Sequence, residues 1–419
     1  MEAKHERLWS ADYIKIMVAA LGTSFVNYFF VSAMPVFAEK LTGTTVYGGL
    51  LVMAFSLAAL AARPAAGIIS DKFGRVKLLV FGALLACVAC VLYGCTVNIF
   101  LLLVIRALHG FGFGIHSTCA GAVVADVVPK ARLSEGVGYF GIYATIGQAF
   151  APWIALQVIG DGERGNFILM FMMSAAICVV SAAADCLLTY ERRRRCAALD
   201  SHGAISDEDA EKAGRTEEAG QKGLPRTIFG FELSVFAPAL VVVLLYFSIS
   251  SINSFLILYA NWRGIENVGL YFTFSAIGIF ISRFLFSRIA DRRGSDLIVI
   301  PGVIVTGICL AIIPFTRSLT ALVFVAFPLG IAQGAAMPTM QSIMFKRCSA
   351  QRRGTASAAY FAAVDIGISI GAPILGLVAD ATSYYIVYFI ASAAMFVALI
   401  IYIVLASDKV FRAKAARKA

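Results

Sequence analysis

The strongest constraint on this chain is that one pattern occurs in it twice. Arg63, Asp71 and Gly74 return as Arg283, Asp291 and Gly294, an offset of 220 residues. The same offset carries Gly110 onto Gly330, Gly114 onto Gly334, Arg132 onto Arg352 and Gly147 onto Gly367. A register kept over so long a stretch marks two copies of one architectural unit rather than a short shared motif.

The units are made of membrane spans. Hydrophobic residues are 60% of the 419 positions and charged residues only 14%, and apolar runs of about 20 residues are long enough to cross the hydrocarbon core as helices. Twelve such runs are read at 12–39, 46–70, 77–96, 98–125, 134–160, 166–190, 234–261, 267–290, 297–315, 319–345, 353–380 and 383–406. The expected fold is therefore an all-α membrane protein of twelve transmembrane helices in two pseudo-symmetric six-helix bundles, residues 1–190 and 233–419. A polar linker over 191–232 joins them, rich in acids such as Asp200, Glu208 and Glu217. A short acidic helix over 207–213, capped by Ser206, fits within it. Parallel repeats built this way are a known transporter plan, with the solute held where the copies meet near midplane.

Charge sets the orientation. Lys72, Arg75 and Lys77, then Lys130 and Arg132, Arg192 to Arg195, Arg288, Arg292 and Arg293, and Lys346, Arg347, Arg352 and Arg353 fall in alternate connections. This bias places those loops and both termini in the cytoplasm, in a multi-pass protein of the plasma membrane. The net charge of +10 follows from that topology, so no nucleic-acid partner is expected. Glu2 and Glu6 in the leader, and the lack of a small-residue cleavage site, make the first helix a retained span. The nine cysteines lie mostly inside spans; Cys87 and Cys90 lack a second ligand pair, so no metal site and no cofactor are expected. The run from Gly110 to Gly114 lies inside an apolar helix and is a packing feature rather than a dinucleotide fingerprint.

The fourth span carries Arg106, His109 and His116 on one polar stripe, and the eleventh carries Asp365 about twelve residues from its start. Ionisable groups at membrane depth are costly and default to function. Arg106, His109 and Asp365 are therefore the candidates for proton coupling or for binding substrate charge, with His116 weighted towards packing. Asp185, Asp380, Arg63 and Arg283 are read as lying near span ends, where snorkelling or gate pairing accounts for them. Asn27, Tyr143, Asn253, Gln333 and Tyr360 are the candidate substrate-cavity residues.

The second connection reads Gly67, three residues, Asp71, Lys72, Phe73, Gly74, Arg75, Val76, Lys77. It closely resembles the G-x-x-x-D-R/K-x-G-R-x-R/K signature of the major facilitator superfamily, with Asp291, Arg292 and Gly294 as the weaker second copy. The resemblance covers essentially the whole chain. It implies a gate at the cytoplasmic end, with Asp71 facing the start of the eleventh helix and Asp126, at the end of the fourth, pairing with Arg75. Arg106 to Gly112 is similar to the family's R-x-x-Q-G-x-G motif, with His109 in place of glutamine. Gly138, Gly147 and Pro152 partly match its antiporter motif, which is expected to tighten the interface between halves; Ala151 and Ala155 replace two glycines and Leu156 a third.

The resemblance is greatest to the drug:proton antiporter branch. It implies a secondary active transporter, not an enzyme, that exchanges a small organic solute for protons by alternating access as a monomer in the lipid bilayer. Two alternatives stand beside it. One is a proton-linked importer of a sugar, organic acid or metal-chelating molecule; the other is a non-transporting sensor on the same fold. There is no P-loop for primary active transport.

Overall fold

The computed structural model describes residues 8–43, 46–160, 164–192, 227–228 and 231–408. In the first half, α1 spans Ala11–Thr42, α2 Val46–Phe73, α3 Arg75–Gly94, α4 Ile99–Val127, α5 Leu133–Phe140, α6 Ile142–Ile159 and α7 Arg164–Cys186. In the second, α8 spans Leu233–Trp262, α9 Gly269–Leu285, α10 Ser287–Arg293, α11 Asp296–Ile312, α12 Leu319–Arg347, α13 Arg353–Ala381 and α14 Tyr384–Ile401. Among the described residues, ten helices are long and apolar enough to cross a membrane. The fifth and eighth expected spans are each jointed, α5 meeting α6 at Gly141 and α9 meeting α10 at Phe286. The one departure from an all-helical chain among the described residues is a two-residue ladder, Thr227–Ile228 against Phe231–Glu232. Residues 193–226, with the helix expected over 207–213, lie outside the described residues.

The two halves are built alike down to their caps. Asn98 accepts the amides of Phe100 and Leu101 at 2.9 and 3.3 Å to start α4. Ser318, its counterpart in the repeat, accepts the amide of Ala321 at 3.2 Å to start α12. Gly74 and Gly294 turn the chain between the second and third helices of each half with φ of 99° and 100°, a backbone region open chiefly to glycine.

Lipid supplies no hydrophobic drive between helices, so close backbone approach has to do that work. A Cβ on Gly110 would fall 2.2 Å from the Phe55 carbonyl oxygen, and one on Gly330 2.1 Å from that of Ser275, which is Phe55's place in the second copy. Each half holds its own apolar core. A third cluster crosses between them at the end where the basic loops lie, setting Phe345 and Ala356 against Val123, Val124 and Leu133. Outward-facing side chains such as Phe100 and Phe324 are large, apolar and exposed, as a lipid-facing surface requires.

Candidate functional site

The signature loop is engaged across the molecule. Asp71, at the end of α2, accepts the amides of Gly354 and Thr355 at 2.8 Å each and the Thr355 hydroxyl at 2.7 Å. These are the first amides of α13, whose free N–H groups and dipole favour an anion. Two glycines allow the approach: a Cβ on Gly354 would lie 2.2 Å from Ser70 Oγ, and one on Gly67 2.7 Å from Ala358 Cβ. Arg75 pairs with Asp71 at 3.0 Å and also bonds Asp126. Asp126 in turn receives Arg353 of the other half at 3.0 Å. The chain Asp71, Arg75, Asp126, Arg353 thus alternates in charge from one half to the other.

The second copy does the same in mirror fashion. Asp291 accepts the amides of Ser134 and Glu135 at 3.0 and 2.9 Å. Ser134 and Glu135 stand at the start of α5, in the repeat positions of Gly354 and Thr355. Lys346 closes on Asp291 at 2.9 Å and on Ser134 Oγ at 3.1 Å. Glu135 gathers Arg132 and Arg288 at 2.6 and 2.7 Å. Lys72 and Arg292, expected as gate partners, are instead exposed and form no ion pair among the described residues. Sequence reasoning did not single out Thr355, Ser134, Glu135, Lys346 or Arg353. The repeat offset was the signal available, since whatever Asp71 contacts, Asp291 contacts 220 residues earlier.

Inside the molecule, Asp365 is paired. Arg63 Nε lies 2.6 Å from Asp365 Oδ2, and its Nη1 donates to Ser117 Oγ at 2.9 Å. The guanidinium also sits over the Phe361 ring at 5.0 Å. This corrects the reading of Arg63 as an end-of-span residue. Helix α2 runs on to Phe73, which leaves Arg63 about 15 Å from its end at 1.5 Å per residue. Arg63 is 3% exposed, so it reaches no aqueous surface and needs the carboxylate. Arg283, its repeat counterpart, donates to the Gly138 carbonyl of the other half at 2.8 Å, so snorkelling does not describe it either.

Arg106 and His109 come together, but apart from Asp365. Arg106 Nη1 is 3.3 Å from His109 Nδ1, and Tyr93 Oη is 3.4 Å from the same nitrogen. Phe55 and Phe30 close over the Arg106 guanidinium at 4.3 and 5.5 Å. Both residues are 1% exposed and lie wholly within the first half. His116 Nε2 is 3.0 Å from Asp185 Oδ2, and His116 Nδ1 is 3.3 Å from Thr23 Oγ1. Asp185 stands at the end of α7 but is completely buried, so snorkelling does not describe it. The cause is that α7 folds this stretch inward against α1 and α4, leaving a charge that needs a partner.

The remaining candidates divide. Gly147 packs on α1, where a Cβ would meet Ser24 Oγ at 2.8 Å, so it tightens the first half rather than the seam between halves. Gly138 faces that seam through its carbonyl, and Pro152 lies within α6. Asn27 Oδ1 and Gln333 Nε2 are buried without partners. Asn253 is exposed. Tyr143 packs against Phe140 with ring centroids 4.7 Å apart. The Tyr360 hydroxyl is 3.5 Å from that of Tyr246, a residue that sat unnoticed in an apolar run. Among the described residues, every hydrogen bond between the halves lies at the basic-loop end or at Arg63 and Arg283.

The chain is similar to known proteins over most of its length. A family model described as Major Facilitator Superfamily matches residues 16–266 and 238–419. The chain is 21% identical over 397 residues to the Staphylopine export protein of Staphylococcus aureus, covering 93% of each. It is 24% identical over 329 residues to Multidrug resistance protein 2 of Bacillus subtilis, covering 75% of this chain and 76% of that one. The crystal structure of the human organic anion transporter MFSD10 (TETRAN) superposes with a TM-score of 0.75 at 14% identity, over 93% of this chain and 98% of that one. At that identity the likeness bears on the fold.

Proposed function

The chain belongs to the major facilitator superfamily, and on that premise we propose that it exports a small organic solute across the plasma membrane in exchange for protons. It is a multi-pass secondary transporter. The two six-helix halves rock about a site at their interface, and the reciprocal bonds of Asp71 and Asp291 close one end. With the basic loops in the cytoplasm, the closed end is the cytoplasmic one and both termini lie on that side. The export direction is supported by relatives named for staphylopine export and multidrug resistance. The transporter works as a monomer, since each gate is completed within one chain.

The observation that carries the coupling is the Arg63–Asp365 pair, 2.6 Å across the seam and inside the membrane. While Asp365 is ionised, the pair holds α2 against α13. A proton on Asp365 removes the charge that Arg63 answers, frees the arginine and loosens the seam, so one site is emptied of solute as it is filled with a proton. Arg106 and His109 serve a second role in this reading. Boxed by Phe30, Phe55 and Tyr93, they hold α4 to α1, α2 and α3 and set the shape of the first half.

The test is proton flux in proteoliposomes with an internal pH dye. Solute-dependent proton movement opposite to the solute is expected from the wild type, and Asp365→Asn is expected to insert normally but lose the proton counterflow. Co-directional movement would make the protein an importer. Retained exchange in Asp365→Asn would remove Asp365 from coupling.

A further inference from the structure

Arg63 and Arg283 occupy one place in the repeat, yet their surroundings differ at each repeat-related contact. Arg63 has Asp365, Ser117 and the Phe361 ring. The residues at those three places in the other copy are Thr145, Met337 and Gly141. Arg283 accordingly has no carboxylate partner among the described residues. Its one hydrogen bond is to the Gly138 carbonyl, and its Nε is buried with no partner at all. In place of the phenyl ring it lies directly on Gly141, where even a Cβ would come within 1.8 Å of Nη1.

An arginine at this depth without a counter-ion is costly, and a bilayer interior does not supply one. The polar groups that act on Arg283 electrostatically are phenols, two of which, Tyr246 and Tyr360, have hydroxyls 3.5 Å apart. Tyr246, Tyr360 and Tyr143 are its strongest electrostatic neighbours, ahead of Tyr13. Tyr143 also feels the charge of Arg63, and Tyr246 that of Asp365. These tyrosines come from α6, α8 and α13, so both halves contribute. Arg283 precedes Asp291 by eight residues, which sets it about 12 Å inward from the closed gate, level with Arg63.

We propose that Arg283, with Tyr143, Tyr246 and Tyr360, binds a carboxylate of the transported solute, which stands where the second copy lacks an acid. A guanidinium offers paired N–H donors to a carboxylate, and phenols add single donors without charge. The solute class is therefore an organic carboxylate or a zwitterion bearing one. Arg63 is already neutralised by Asp365, whereas Arg283 keeps its positive charge at this position and selects against purely cationic solutes there. The inference names the substrate class of the transport site and so rests on the transport reading.

Purified protein in detergent is the material for the test, with saturable thermal stabilisation as the readout. The probes are pairs sharing a skeleton: benzoate and methyl benzoate, indole-3-acetate and its methyl ester, citrate and trimethyl citrate, each against sodium chloride at matched ionic strength. At least one carboxylate is expected to raise the melting temperature by a few degrees, its ester and chloride to do nothing. Arg283→Gln is expected to weaken that binding roughly 30-fold or more, the factor for truncating one partner of a buried charged hydrogen bond. Arg283→Lys is expected to retain part of it. Thr145→Asp, which supplies the missing acid, is expected to raise the melting temperature without ligand and to abolish the carboxylate response, which keeps the test open if Arg283→Gln fails to fold.

No response from any carboxylate, equal responses to ester or chloride, or an unchanged response in Thr145→Asp would overturn the assignment. The flux assay separates this from the broader reading. Coupled flux of cationic or neutral solutes without carboxylate binding leaves the transporter standing and removes this site. Carboxylate binding without any flux does the reverse.

Discussion

Asp126 and Lys346 hold the same place in the two copies of the repeat and carry opposite charges. Each nonetheless serves the same end. Asp126 collects Arg75 and Arg353, while Lys346 reaches directly to Asp291. The first junction is therefore a relay of four charges, and the second a direct Lys346–Asp291 pair flanked by Glu135 with Arg132 and Arg288, built on one backbone plan.

That difference makes the two gates unequal in strength. Asp71 accepts three hydrogen bonds from α13 besides its arginine, and bonds to a charged acceptor contribute about 1.5–3 kcal/mol each. Asp71→Asn is expected to shift the population towards the cytoplasm-open form more than Asp291→Asn does. Labelling rates of a cysteine placed on α13 at the closed seam, measured from the cytoplasmic side, check it. Equal rates in the two variants would refute the ranking.

Gly354→Ala should open the same gate without touching a charge. Its Cβ would fall 2.2 Å from Ser70 Oγ and 2.6 Å from Asp71 Oδ1, so α13 must withdraw. The expected labelling rate resembles that of Asp71→Asn, with the solute affinity from the cytoplasmic side raised. A variant indistinguishable from wild type would mean that the seam yields without opening.

Breaking the interior pair on its two sides should give different results. Arg63→Gln leaves Asp365 ionisable but unpaired, which favours its proton and drives solute-independent proton leak in liposomes. Asp365→Asn leaves nothing to titrate, and no leak is expected. The double variant should behave as Asp365→Asn alone. Leak from all three would place the proton elsewhere.

His116 is expected to matter for stability rather than for turnover. His116→Phe leaves Asp185 fully buried without its imidazole, and losing one partner of a buried pair costs about 3–5 kcal/mol. The melting temperature of the detergent-solubilised protein should fall clearly, and Asp185→Asn added to the same variant should recover part of it. A melting temperature unchanged by His116→Phe would show that the imidazole does not stabilise Asp185 in the fold.

Much of this was legible in the residues. Apolar run length gave the spans, because hydrocarbon thickness fixes helix length and the backbone must satisfy itself there. The repeat pointed to the two halves, and the signature around Asp71 pointed to the residue that bonds the start of α13. Depth was the weak point. Arg63 lay seven residues from the span end as read at residue 70, and three more helical residues turned it from an interfacial charge into a buried one. Asp185 does stand at a helix end, but polarity near an end does not reveal which way the helix faces, and it is buried. Arg106, His109 and Asp365 were grouped by polarity and membrane depth, although the bundle walls the first two behind Phe30 and Phe55. Lys346 and Arg353 were counted as topology charges, and nothing local distinguishes a lysine that answers an aspartate 55 residues away from one that answers only the membrane potential.

Glu191 and Asp408 follow the last helix of each half and turn back onto its third. Glu191 accepts the amides of Arg75 and Val76 at 2.5 and 3.3 Å, and Asp408 accepts that of Ser295 at 2.8 Å. Both fasteners lie within a half, whereas those of Asp71 and Asp291 lie between halves. The backbone hydrogens at this end therefore fall into two populations during turnover. Those of Gly354, Thr355, Ser134 and Glu135 exchange with solvent at the tempo of the transport cycle, while those of Arg75, Val76 and Ser295 keep the slower clock of each bundle's own unfolding. Isotope exchange thus has an internal standard a few ångströms from the moving part.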